Sequence, residues 1–478
     1  MAVPETTTGP APAVRPEASA APAPLSPPTA GRAWLLAALL GATVLGTISN
    51  NIVNVPLRQI TADFGVPVTQ GVLIASASVL VLAVAMPLTG WVSDRLGRRR
   101  TLVLALSVLL LGTVGATLAP SLTPMVISRA LQGLGCAAVP VAVMGTLART
   151  FPPERRNSVM GAWGAANGIG QAIGPPVGGF IADAFGWRAI FGALIPVTIG
   201  VLVLTLRVVP RDSGQQARID WAGAGSLTVG VALLMTAVTA APQPGVPPWV
   251  PAVGAALGVA ALVVFVLTGL RRAHPFIDPR LLVEIRWLRS ATGVFVQQCT
   301  LAAVLVGVPL YLTGVADLSV SATGLLIFSL PLVWAVLAPL VGLLADRVGP
   351  RPVLRTGLGV LLVVDVGLAA VLGHEVQRLL PILALLVAAG AGVALVQTPA
   401  LTGATRSPAG QRGAGLGLFN MMRFVGAAVG TAAVAAAWPD ALAWLFGGCA
   451  AVAVGGLVLS FLGREVADTP SAVEVRAG

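Results

Sequence analysis

The chain has 478 residues, 56% of them apolar and only 10% charged, against roughly 25% charged in an average soluble chain. Twenty-nine basic and 18 acidic side chains cannot solvate the surface of a 48 kDa globule, so a water-soluble fold is excluded and a lipid-embedded helical bundle is expected. Lysine is absent, which removes the Walker-type phosphate loop and the Schiff-base or pyridoxal site together, and with them ATP hydrolysis.

The net charge of +11 does not point to nucleic acid, because the arginines sit in short loops between apolar runs and not in a basic domain. Cys136, Cys299 and Cys449 each fall inside an apolar run, a pattern that suits packed thiols and neither a disulfide framework nor a metal site. No metal, cofactor or enzymatic nucleophile is expected.

In chain order, residues 1–32 carry eight prolines in the first thirty positions and read as a disordered tail. The apolar stretch that follows is long enough to span the hydrocarbon, so the start does not read as a cleavable signal peptide. Uncharged stretches of about 20 residues, the minimum for a helix across ~30 Å of hydrocarbon, lie near 33–55, 69–89, 101–119, 124–148, 159–182, 189–206, 222–241, 249–270, 290–313, 321–344, 352–373, 379–402, 413–437 and 441–463. This predicts fourteen transmembrane helices in an N-terminal six-helix bundle (33–207), a central two-helix insert with linkers (208–289), a C-terminal six-helix bundle (290–463) and a short tail (464–478).

Loops after even-numbered spans hold twenty arginines, while the alternate loops hold only Arg58, Arg188 and Arg378. By the positive-inside rule both termini are expected in the cytoplasm. The segment Arg280–Arg289, with Leu281, Leu282, Ile285 and Leu288 on one face, is expected to form a short interfacial helix. His274 and His374 fall in loops on opposite sides and read as solvated.

An internal repeat is legible. Gly90, Asp94, Arg95 and Gly97 recur 252 residues later as Gly342, Asp346, Arg347 and Gly349, each copy closing the second span of a half. Six-plus-six duplication is the trace of transporters that move two bundles about a midplane site. The first copy is expected on a tight cytoplasmic turn, where glycine allows φ > 0, Asp94 reaches helix N-terminal amides, and Arg95, Arg98 and Arg99 meet carboxylates or lipid phosphates.

With Gly90, Asp94, Arg95, Gly97, Arg98 and Arg99 in this order, the loop resembles the signature of the major facilitator superfamily. The resemblance implies an all-α membrane fold of two six-helix bundles. Arg129-Ala130-Leu131-Gln132-Gly133 in span 4 resembles the superfamily's buried-arginine motif, which implies a part in proton transfer for Arg129, with a structural salt bridge as the alternative. Span 5 carries Gly161, Gly170, Gly174-Pro175 and Gly178-Gly179, which matches the signature of the antiporter branch. Glycines 170, 174 and 178 share one helical face, where a neighbouring backbone can approach, and Pro175 favours a bend.

With two spans inserted centrally, the chain is similar to the fourteen-span drug/proton antiporters from about 33 to 463. It departs from them at Ser49, where that branch usually carries an aspartate. Asp365 is the one acid well inside an uncharged run, about 20 Å along span 11, and is the candidate proton carrier or else the structural partner of an arginine. Asn50, Asn54, Gln132, Gln297, Gln298, Asn420 and Arg423 are polar side chains in spans that line the cavity in this superfamily.

The sequence thus reads as a monomeric bacterial inner-membrane exporter of small hydrophobic or amphiphilic drugs, driven by a proton gradient. A facilitator or importer on the same fold and a non-transporting receptor or scaffold are the rival readings.

Overall fold

A computed structural model describes residues 29–463 except 54–55, 213, 215–219, 244, 273–274, 373–378 and 439–440. Asn54, His274 and His374 lie outside the described residues, as do most of the N-terminal tail and the tail after 463. Among the described residues all regular structure is helical.

Fourteen helices have twenty or more residues: α1 (Thr29–Asn51), α2 (Val68–Leu96), α3 (Arg98–Leu118), α4 (Leu122–Thr150), α5 (Arg156–Phe185), α6 (Trp187–Val208), α7 (Trp221–Ala240), α8 (Trp249–Arg271), α9 (Ile285–Gly314), α10 (Val320–Val348), α11 (Pro350–Leu372), α12 (Leu379–Arg406), α13 (Gly413–Ala437) and α14 (Leu442–Phe461). Thirteen are long and apolar enough to cross a membrane. The exception is α5, whose seven glycines, Asn157, Asn167 and Gln171 dilute its hydropathy.

Apolar side chains face outward as well as inward. Leu111, Leu118 and Leu325 are 66%, 72% and 74% exposed, which water would penalise and hydrocarbon solvates. In the absence of water every backbone amide must be satisfied within the segment, and helices do this without help.

The long helices pack in two groups. In the first, α4 lies against α2 and α3, α6 against α3 and α1, and α1 against α5. In the second, α9 lies against α13 and α12, α11 against α12 and α14, and α10 against α12. The groups meet along two seams, α5 with α10 and α2 with α13. Since α2 corresponds to α10 by the 252-residue repeat, and α5 occupies the place in its group that α13 occupies in the other, one seam is the pseudo-twofold image of the other.

The helices α7 and α8 pack on each other, with Gly230 and Gly258 at their crossing, and α7 packs on α2 and α13. Asp220 closes this pair: it accepts from the Gly223 amide at 3.0 Å and pairs with Arg272 at the far end of α8.

The expected interfacial helix over 280–289 is not continuous. A single turn, Pro279–Leu282, ends at Val283, and α9 starts at Ile285. The break is made by Glu284, which caps α9 by accepting from the Arg286 and Trp287 amides, both at 2.9 Å.

Candidate functional site

The first feature is the end of the molecule where α2 turns into α3 and α10 into α11. Gly97 (φ 85°) and Gly349 (φ 90°) make these turns in a conformation that L side chains rarely adopt. Gly90 and Asp94 are not in the turn, as the sequence pattern had suggested, but in the last two turns of α2 itself. Gly90 is there for close approach: a Cβ added to it would lie 2.1 Å from the Gly413 carbonyl oxygen.

This contact brings Asp94 to the N-terminus of α13, where both its oxygens accept from the Gly413 amide, at 2.9 and 2.8 Å. The second copy does the same across the other seam. Asp346 accepts from the amides of Asn157 (3.2 Å) and Ser158 (3.0 Å), from Asn157 Nδ2 (2.8 Å) and from the Ser158 hydroxyl, all in the first turn of α5. Gly342 lies beneath them, 2.7 Å from the Asn157 oxygen if it carried a Cβ. Each signature carboxylate therefore caps the helix that faces it from the opposite bundle, where unpaired amides and the helix dipole favour negative charge.

The arginines at the start of α3 and α11 hold each bundle to itself. Arg99 donates to the Leu206 carbonyl at the end of α6. Arg351, again 252 residues on, donates to the Ser460, Phe461 and Leu462 carbonyls at the end of α14. Arg98 pairs with Asp212 of the following linker at 3.4 Å, and Asp212 also accepts from the Arg98 and Arg99 amides. Arg95 lies over the Trp91 ring at 5.5 Å, and Arg347 is exposed. Asn157, Ser158, Asp212 and Arg351 were not singled out in the sequence, although the repeat offset applied to Arg99 lands on Arg351.

The glycines of α5 divide between two partners. Gly161, Gly164 and Gly168 face Ala338 and Ala335 of α10, with a Cβ at 161 falling 2.4 Å from the Ala338 oxygen. Gly170, Gly174 and Gly178 instead face Thr47, Asn51 and Ile52 at the end of α1. Gly179 is half-buried, and α5 runs unbroken through Pro175 and Pro176. In α13, Gly413 and Gly417 likewise meet α2 across the seam, and Gly426 and Gly430 meet α9 within the bundle.

Arg129 is fully buried in α4. The salt-bridge alternative fails: among the described residues no carboxylate lies within 4 Å of it. Instead it donates to four neutral acceptors, the carbonyls of Ser49 (2.8 Å), Asn50 (3.2 Å) and Ile74 (3.1 Å) and the Gln132 Oε1 atom (2.7 Å). Ser49 and Asn50 are among the last residues of α1, whose carbonyls have no partner further along the helix, so a guanidinium there is a C-terminal cap. Gln132 passes the network to Thr113 at 3.0 Å, and Ser78 donates to Asn50 Oδ1 at 3.3 Å.

Asp365 is fully buried in α11 and belongs to the other bundle. One oxygen accepts from Thr300 Oγ1 of α9 at 2.9 Å, and the second has no partner. Its reading as the partner of an arginine is not met, because the group that holds it is a hydroxyl. Gln297, one turn before Thr300, donates to Gln298 at 2.8 Å. Asn420 and Arg423 sit at the inner seam: Asn420 donates to Met144 Sδ of α4 at 3.3 Å, Arg423 donates to Asn420 Oδ1 at 3.4 Å, and the guanidinium lies 5.2 Å from the Trp163 ring of α5. Cys136, Cys299 and Cys449 are free and buried.

Two helical bundles joined by pseudo-symmetric seams, with apolar exteriors and a buried polar interior, define a multi-pass helical membrane protein. The chain matches the model of the Major Facilitator Superfamily over residues 37–431, with a second match over 290–477, and it belongs to that superfamily. It is 32% identical to the multidrug resistance protein Stp of Mycobacterium tuberculosis over 407 residues, 82% of this chain and 73% of that one. It is 30% identical to the drug efflux pump JefA of the same organism, over 81% of this chain and 77% of the relative. Among solved structures, the proton:xylose symporter XylE shares the fold, with a TM-score of 0.65 at 16% identity over 90% of this chain and 94% of that one.

Proposed function

We propose that this transporter exports hydrophobic or amphiphilic drugs from a bacterial cell by proton antiport. The observation that carries the reading is the 32% identity to a multidrug resistance protein along 82% of the chain. The arginine-rich end faces the cytoplasm, all fourteen long helices including α5 cross the bilayer, and the chain works as a monomer in the plasma membrane.

The paired carboxylate caps support an alternating-access cycle. With Asp94 on α13 and Asp346 on α5, the cytoplasmic side is closed. Separating the seams there exposes two helix N-termini and two carboxylates to water, and the opposite side closes in their place. Asp365 is the coupling acid in this scheme: buried, free of arginine and with one oxygen unpartnered, it is the group that binding a proton neutralises. Arg129, which meets only neutral acceptors, holds the end of α1 and does not carry the proton.

The test is pH-driven accumulation of a fluorescent drug in everted vesicles. Wild-type protein should accumulate it and a protonophore should stop it, while Asp365→Asn should abolish pH-driven uptake with the protein still present in the membrane. Unchanged uptake in that variant would remove Asp365 from the mechanism, and no uptake of any drug by the wild type would remove the export reading.

A further inference from the structure

A group of buried polar atoms without partners lies where the two seams approach each other. Trp163 of α5, Trp334 of α10, Gln397 and Thr398 of α12 are fully buried, and Arg423 of α13 is 4% exposed. The indole Nε1 atoms of both tryptophans, both ends of the Gln397 amide, Thr398 Oγ1 and Arg423 Nε have no hydrogen-bond partner. Such atoms are rare in folded proteins, since each one buried dry is strongly unfavourable.

Their placement is collective. The Arg423 guanidinium lies 5.2 Å from the Trp163 ring. Next to Trp163, Gly164 packs against Ala338, whose Cβ would lie 3.3 Å from a Cβ built there, and the same Cβ would lie 3.8 Å from Thr398 Oγ1 and 3.9 Å from Trp334 Nε1. Counted from the arginine-rich ends of their helices, these residues lie about 10 to 20 Å in, near the middle of a bilayer. One bundle supplies Trp163 and the other supplies the rest, so any ligand among them would touch both.

Charge decides what that ligand is. The group presents one guanidinium and two indole N–H donors, and among the described residues no carboxylate lies within 4 Å of Arg423. Asn420 Oδ1 is already engaged by Arg423. A cation here would meet an uncompensated like charge, whereas an anion would answer the guanidinium and take the indole donors, and a planar ring would find two indoles to pack on.

We infer that Trp163, Trp334, Gln397, Thr398 and Arg423 form the recognition site for an anionic aromatic amphiphile, a planar ring system bearing a single carboxylate or phenolate. The inference rests on the transporter reading only in that a small molecule enters between the bundles, and equilibrium binding tests it without reference to export.

The full chain in lipid nanodiscs would be titrated calorimetrically with three probes sharing one ring and differing in charge: 2-naphthoate, 2-naphthamide and 2-naphthylmethylammonium. Naphthoate should bind at least about tenfold more tightly than the ammonium, and Arg423→Gln should reduce naphthoate affinity by about tenfold or more, to the level of the amide. Trp334→Phe, which keeps a ring and removes the N–H, should weaken naphthoate by about three- to tenfold and leave the ammonium unchanged. Equal or tighter binding of the ammonium by the wild type would overturn the proposal, as would unaltered naphthoate affinity in an Arg423→Gln protein of wild-type melting temperature. Should Arg423→Gln not fold, the wild-type ranking and Trp334→Phe decide alone. If the ranking holds in a protein that exports no drug from cells, the export reading fails and this one stands. Protonophore-sensitive drug export without a preference for naphthoate has the reverse meaning.

Discussion

At the scale of single residues, the most consequential finding is that the buried arginine of α4 is a cap and not half of an ion pair. Replacing Arg129 by Ala orphans the Ser49 and Asn50 carbonyls at the end of α1 and takes a donor from the Ile74 carbonyl and from Gln132 Oε1 at once. We expect a loss of about 3–5 kcal/mol, read as a fall in melting temperature in detergent. Arg129→Lys should recover only part of it, because a single ammonium cannot reach acceptors spread across three helices. A full recovery with Lys would contradict the capping geometry.

Asp63, at the end of the short helix Leu57–Asp63 that connects α1 to α2, gives a pH-dependent contrast. Hydrogen bonds from Arg188 (2.7 Å) and Trp187 (3.2 Å) hold its carboxyl below the usual carboxylate range. A lowered value in the folded protein means a stabilisation present at neutral pH and lost as the pH falls through it. The small destabilisation expected from Asp63→Asn, limited by exposure of the pair, should fade as the pH drops below about 4. Sequence alone showed the types of these residues but not their partners: nothing local to Arg129 announces that three of its four acceptors are backbone atoms 55 to 80 positions earlier.

At the scale of elements, α5 and α13 each serve two neighbours, with seam glycines toward one end and bundle glycines beyond. The two sets should respond differently to the same substitution. Gly161→Ala and Gly417→Ala place a Cβ 2.4 Å from the Ala338 oxygen and 2.3 Å from the Met86 oxygen, and so should reduce transport several-fold with little change in melting temperature. Gly178→Ala and Gly430→Ala collide with Ile52 and Cys299 carbonyls inside one bundle, at 2.6 and 2.3 Å, and should lower stability by about 1–3 kcal/mol. Thermal melts and transport assays on the same four proteins distinguish the sets, and identical behaviour of all four would refute the division. The one-face spacing of Gly170, Gly174 and Gly178 was legible because helical periodicity is local. That Gly161 belongs to a different interface was not, since its partner α10 lies more than 150 residues away. The expected helix over 280–289 failed for a local reason: its apolar face was real, but Glu284 prefers to cap the helix that follows.

At the scale of the whole molecule, the membrane class, the number of long helices and the duplicated signature were legible, because composition, run length and a 252-residue offset survive in one dimension. What the chain order hides is which helix N-terminus each repeated carboxylate meets. Asp94 reaches 319 residues forward to Gly413, and Asp346 reaches 189 back to Asn157. Only the pseudo-twofold relation between bundles makes these equivalent. If the caps close one side of the transporter, removing both should shift the balance of states by a few kcal/mol, since a lost N-cap costs about 0.5–2 kcal/mol each. The most direct test is a pair of spin-label distances in lipid, one between positions 100 and 411 at the arginine-rich end and one between positions 118 and 380 at the opposite end, all exposed. In the Asp94→Ala/Asp346→Ala double variant the first distance should lengthen while the second shortens. Distances that stay at their wild-type values, or that lengthen together, would contradict the account.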